Sequence, residues 1–115
     1  MEPVLIVFNI IFLMSCISIS YLFKKNYPTD INSMIGYRTK RSMASKESWI
    51  LANKYSSNLL FKYAIITVTI QVILFVLLGA KVAILIASSL WLILLLTTLL
   101  QTEVKLKKKL NHQNG

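Results

Sequence analysis

The sequence predicts an all-α integral membrane protein with three transmembrane helices. A cytoplasmic loop and a helical extension lie between the first and second. Three uncharged apolar runs carry the prediction: Val4 to Phe23 is 20 residues, Ala64 to Ala80 is 17 and Val82 to Leu100 is 19. At about 1.5 Å rise per residue, roughly 20 such residues cross a hydrocarbon core of about 30 Å. The basic residues are the second observation. Of 13, eight (Lys24, Lys25, Arg38, Lys40, Arg41, Lys46, Lys54 and Lys62) separate the first two runs. Four more, Lys105, Lys107, Lys108 and Lys109, follow the third run, and Lys81 alone lies elsewhere. Loops on the cytoplasmic side of a membrane are enriched in Lys and Arg. The expected orientation therefore has Met1 outside and the C-terminus in the cytoplasm. The same distribution absorbs the +9 net charge, which in a soluble chain would suggest a nucleic-acid partner. No direct nucleic-acid contact is expected.

The first run is read as a retained helix. No basic n-region precedes it, Glu2 being its only preceding charge, and it is long for a signal-peptide core. Leu13-Met14-Ser15-Cys16 is faintly similar to a lipoprotein cleavage box, but the apolar run continues well past Cys16. Pro3 suits the first helical turn, where its missing N–H costs nothing. Lys24-Lys25-Asn26-Tyr27-Pro28 ends the helix, with Tyr21, Phe23 and Tyr27 as interface anchors. Cys16, the one cysteine, is expected to pack or to touch lipid.

A second helix is expected to start with Ser45 as its cap and to run unbroken into the second span, because neither Pro nor Gly occurs between Lys46 and Leu78. On a 3.6-residue wheel Trp49, Ala52, Asn53 and Ser56 share one face, with Glu47, Lys54 and Lys62 on the other. The Gly79-Ala80-Lys81 turn is too short to reach a distant position, so the second and third spans must be antiparallel neighbours. In the tail, Glu103 and Lys107 have the spacing of a weak i,i+4 pair, and the lysines would attract anionic lipids of the bilayer. The chain is thus one membrane domain over 1–115. Its spans lie at about 4–23, 61–80 and 82–100, the motif loop and helix at 24–60, and the basic tail at 101–115.

The cytoplasmic segment is more than a charge run. Asn32, Gly36, Tyr37, Arg38, Thr39 and Ser42 are followed by Trp49, Ala52 and Asn53. Gly36 permits positive φ or a close backbone approach. The amides and hydroxyls can satisfy backbone groups, and Arg38 offers a five-donor fork. The ordinary role of juxtamembrane Arg, Tyr and Trp is anchoring and topology. Holding the loop against the helix mouths is therefore the first expectation, ahead of ligand contact. The pattern N-x-x-x-G-Y-R-T-x-x-S at Asn32 to Ser42, then W-x-x-A-N at Trp49 to Asn53 with a membrane helix directly after, resembles the SdpI family of small bacterial membrane proteins. That resemblance implies a bacterial plasma-membrane protein giving immunity to a secreted, membrane-active peptide toxin. It also implies, for some members, relay of toxin presence to a cytosolic transcription repressor. Longer members carry an additional membrane region ahead of this module. Many relatives have Pro where this chain has Lys40.

The remaining residues exclude other classes. Gln71 is read as the only amide deep in a span, suited to a bond with another helix, and Trp91 as a packing residue central in the third span. Ser88, Ser89, Thr97 and Thr98 can bond to their own helix. His112, the single His, has no metal partners, and no paired carboxylates or Cys–His or Ser–His sets are placed for catalysis. Neither enzyme, metal site nor cofactor is expected. Three functions stay open: an immunity protein that engages a peptide toxin, a tethered regulator that recruits a repressor through its basic loop, and an accessory subunit of a membrane complex. The sequence sets no oligomeric state.

Overall fold

A computed structural model of the chain describes residues 2–32 and 36–114. Three helices follow in order: α1 (Glu2–Lys25), α2 (Lys46–Leu78) and α3 (Ala80–Asn114). Each contains a segment long and apolar enough to cross a membrane. Met1, the motif positions Ser33, Met34 and Ile35, the terminal Gly115 and the side chains of Glu2, His112, Gln113 and Asn114 lie outside what is described.

Ser45 caps α2 in extended conformation, its hydroxyl accepting from the Ser48 N–H at 3.1 Å. From there α2 continues without interruption for 33 residues. At about 1.5 Å per residue that is close to 50 Å, so α2 and α3 together project some 20 Å beyond a 30 Å hydrocarbon core. The tail shares this projection, since α3 stays helical to Asn114. The turn between them is shorter than the three residues read from sequence: Gly79 alone leaves the helix, and Ala80 already belongs to α3. Its φ of +99° reverses the chain, and its N–H still donates to Leu74 and Phe75 carbonyls at 3.2 and 3.1 Å. Only glycine takes that φ without strain.

Packing follows membrane logic. Small residues are buried where helices meet: Ala52 and Ala64 on α2, Ala83 and Ala87 on α3, and Ser20 on α1. Large apolar side chains such as Ile10, Val76 and Leu100 point outward. With lipid tails as apolar as leucine, helices gain from close approach rather than from hiding leucines. Buried hydroxyls bond within their own helix, as Thr67 does to Tyr63 (2.8 Å) and Thr102 to Thr98 (2.7 Å). Ser88, Ser89, Thr97 and Thr98 do the same. Cys16 is buried. α1 lies mainly against α2, and α2 and α3 form the closest pair.

Candidate functional site

The motif residues converge at the end where the basic residues gather. Trp49, Ala52 and Asn53 occupy one face of α2, all fully buried, and the loop from Gly36 to Ser42 folds over them. Asn53 behaves as a side-chain version of a backbone strand. Its Oδ1 accepts the Tyr37 N–H at 2.7 Å, and its Nδ2 donates to the Trp49 carbonyl at 2.9 Å and, more weakly, toward the Tyr37 carbonyl at 3.4 Å. Gly36 must be glycine for two reasons. Its φ is +105°, and a Cβ there would lie 2.5 Å from Asn53 Oδ1 and 2.7 Å from Pro28 Cγ. The Trp49 indole N–H donates to the Pro28 carbonyl at 2.9 Å, tying the exit of α1 to the start of α2.

Ser42 closes the loop on itself. Its Oγ accepts the Thr39 N–H at 2.8 Å and sits 3.1 and 2.9 Å from the Tyr37 and Thr39 carbonyls, so its one proton serves one of them at a time. The Ser42 N–H donates to Thr39 Oγ1 at 3.2 Å. Buried polar groups cost free energy unless paired, and here the pairing is reciprocal.

The third wall is a residue that the sequence pairs with Lys107 and does not place in the site. Glu103 on α3 accepts from the Tyr37 hydroxyl (2.8 Å) and the Thr39 hydroxyl (2.9 Å) at Oε2, and from Arg41 Nη1 (3.3 Å) at Oε1. The expected Glu103–Lys107 pair is therefore displaced: the carboxylate turns across to the loop, where several donors converge. The Tyr37 hydroxyl is also 3.1 Å from the Leu99 carbonyl. Burial, and next the Glu103 carboxylate, push the Tyr37 phenol well above its usual range, so it stays a donor. Glu103 could have been suspected as the only carboxylate among the tail lysines, about one turn past the end of the third apolar run and on the side of a donor-rich loop.

Arg38 was expected to pin the loop to a helix end. Its Nε instead donates to the Asn32 carbonyl at 3.0 Å and the residue is exposed, so the cross-chain pin is Arg41. Asn32, half-buried, donates from Nδ2 to the Asp30 carbonyl at 3.2 Å. Weaker ion pairs flank the clamp, Lys46–Asp30 at 3.8 Å and Lys109–Glu47 at 3.9 Å. Lys24 lies 4.7 Å over the Phe61 ring, which also meets Tyr21.

Near the opposite end a second polar contact sits within the spans. Gln71 bonds to another helix as expected, but its partner, Asn9, is an amide the reading overlooked because it lies near the start of the first run. Gln71 Nε2 donates to Asn9 Oδ1 (2.9 Å) and to the Asn9 carbonyl (3.2 Å). Asn9 Nδ2 donates in turn to the Leu5 and Ala80 carbonyls at 2.8 and 3.0 Å, linking α1 to the first residue of α3. Gln71 Oε1 is buried without a hydrogen-bond partner among the described residues. Trp91 is half-buried and belongs to neither network. Among the described residues no cluster of His, Cys, Asp and Glu could hold a metal ion.

The arrangement can hold the three helices and the loop in register. Compared with known proteins, residues 29–102 match the profile of the SdpI/YfhL protein family. A 33-residue stretch is 52% identical to the uncharacterized protein YfhL of Bacillus subtilis (strain 168). That stretch is 29% of this chain and spans only 30% of the relative's length. No solved structure matches. The matched region takes in the clamp loop, all of α2 and α3 to within one residue of Glu103, and on that extent the chain belongs to the SdpI/YfhL family of membrane proteins.

Proposed function

We propose that this multi-pass membrane protein is a non-enzymatic immunity protein, protecting the bacterial plasma membrane against a secreted, membrane-active peptide. The observation that carries the reading is family membership across the segment that builds the clamp. In this reading the N-terminus lies outside and the clamp and C-terminus face the cytoplasm, as the 12 basic residues at that end favour. The clamp holds α1, α2 and α3 in register from the inside. The outward halves of the helices, including the Asn9–Gln71 contact, would meet or exclude the peptide.

The test is survival of peptide-sensitive bacteria that express the chain, with membrane abundance matched and reporter fusions placed on each terminus. Sporulation-delay-type toxin is the first challenge. Protection by the intact chain, weakened by Trp49→Phe (which keeps an aromatic ring but loses the indole N–H bond to Pro28), is the expected result. Equal sensitivity with the protein correctly inserted would overturn the reading.

A second reading, a membrane-tethered regulator that recruits a cytosolic repressor, is favoured by one observation. Arg38 is exposed, and among the described residues its guanidinium engages the loop through Nε alone. A cytosolic protein retained by the intact chain and lost on Arg38→Ala would support it.

A further inference from the structure

A groove runs between α2 and α3 where the pair emerges from the apolar zone, on the flank of the projection. Its volume is about 980 Å³, at the upper end of the range of roughly 300–1,000 Å³ typical of ligand clefts. Leu100 and Val104 on α3 and Leu51 on α2 make an apolar floor. This floor continues the lipid-facing surface past the last residue of the third apolar run, and Leu100 and Val104 are both exposed. Lys105, Lys108 and Lys109 line the same groove from successive turns of α3, and no lining residue is acidic. The Lys105 ammonium lies 4.6 Å over the Tyr55 ring, a contact that orients the amine without consuming its N–H donors. Lys109 is shared with Glu47 at 3.9 Å, whereas Lys105 and Lys108 have no acidic partner among the described residues.

Depth sets the assignment. Lys105 lies five residues beyond Leu100 in the sequence, about 7.5 Å along the helix. A headgroup layer extends roughly 5–8 Å beyond each side of the hydrocarbon core. An amine at that height meets phosphate, and an apolar strip directly below it meets the upper methylenes of an acyl chain. We propose that this groove is a binding site for one anionic phospholipid. The phosphate would lie between Lys105 and Lys108, and one acyl chain along Val104 and Leu100. A soluble phosphate would use the amines and leave the floor bare. An acidic peptide would match the charge but gain nothing from the floor's continuity with the lipid surface.

The test uses the full chain in neutral detergent, with binding read by native mass spectrometry. The probes are phosphatidylglycerol, phosphatidylcholine and glycerol phosphate, and circular dichroism monitors folding. Phosphatidylglycerol should be retained over phosphatidylcholine. Lys105→Gln with Lys108→Gln should weaken its retention about tenfold or more, since each lysine near a charged surface changes binding several-fold. Lys40→Gln with Lys62→Gln removes equal charge from the same end and should leave retention within about twofold. Val104→Asn, at an exposed position, should weaken the lipid and leave glycerol phosphate unchanged. Equal loss in the two double variants would overturn the site in favour of diffuse surface charge. Glycerol phosphate binding as well as the lipid would overturn the acyl-chain contact. An acidic peptide that binds the groove and resists displacement by phosphatidylglycerol would reassign it to a protein partner.

Discussion

At the basic end, the loop from Gly36 to Ser42 is held by Asn53 from one helix, which accepts from the Tyr37 N–H and donates to the Trp49 carbonyl, and by Glu103 from another, which accepts from three donors. Near the opposite end, α1, α2 and α3 share a relay, Gln71 to Asn9 to Ala80, in which Gln71 Oε1 has no donor among the described residues. The difference reflects the solvent on each side. The clamp stands at the membrane surface, where unfolded loop groups would bond to water, so many small net gains of roughly 0.5–1.5 kcal/mol each are needed to hold it. Inside the spans the alternative to a partner is hydrocarbon, yet measured interhelical bonds average only about 0.6 kcal/mol because the separated helices also find partners. One network holds by multiplicity, the other by the absence of water.

If that contrast is right, substitutions in the clamp should cost more than those in the relay. The largest loss is expected at Trp49, fully buried and bonded to Pro28. Trp49→Ala should destabilise by about 3–5 kcal/mol, read by reversible unfolding in mixed micelles. A loss below 1 kcal/mol would mean that the loop does not close over α2.

Gly36→Ala comes next. Positive φ and the collision with Asn53 and Pro28 together predict about 2–3 kcal/mol, with the loop displaced rather than the spans. Limited proteolysis should then cut the loop faster while helix content stays constant.

Glu103→Gln sharpens the electrostatic part. Hydrogen bonds to a charged acceptor contribute about 1.5–3 kcal/mol, and this variant weakens three donors' hold at once. It should also lower the Tyr37 pKa part of the way toward normal, burial remaining the larger cause. The folded-state pKa is raised, so the stability linked to Tyr37 is fully present below the unfolded tyrosine value of about 10. It is lost as pH rises above that value through the folded pKa. Phenolate absorbance, compared with Tyr37→Phe, reads this out. An identical titration in wild type and Glu103→Gln would remove Glu103 from the site.

The smallest effects belong to the relay. Gln71→Leu removes a side chain whose Oε1 is already unpartnered, and should cost under about 1 kcal/mol. Asn9→Leu should cost more, about 1–3 kcal/mol, because it strands the buried Gln71 and releases the Ala80 carbonyl. The double variant should cost less than the sum.

How much of this could be read from the chain differs by residue. The three spans, the unbroken run of α2 through Trp49 and Asn53, and the antiparallel hairpin followed from local signals. Those signals are hydropathy, the absence of Pro and Gly from Lys46 to Leu78, and a turn too short to do anything else. The family was legible only as a resemblance, carried by the motif from Asn32 to Ser42 and from Trp49 to Asn53; the contacts of Gly36, Trp49 and Asn53 came from the structure. Partner choice did not follow. Glu103 meets Tyr37 across 66 positions and Gln71 meets Asn9 across 62. Whether such residues face one another depends on the phase and tilt of whole helices. A one-residue rotation of α3, about 100°, would turn Glu103 away from the loop and leave the i,i+4 pair with Lys107 as its best local option. By itself the sequence determined which segments are helices and which side chains can bond. Only the tertiary structure decided that Arg41 rather than Arg38 reaches α3, and that the helices close on small residues, because those outcomes belong to the packing of one surface against another.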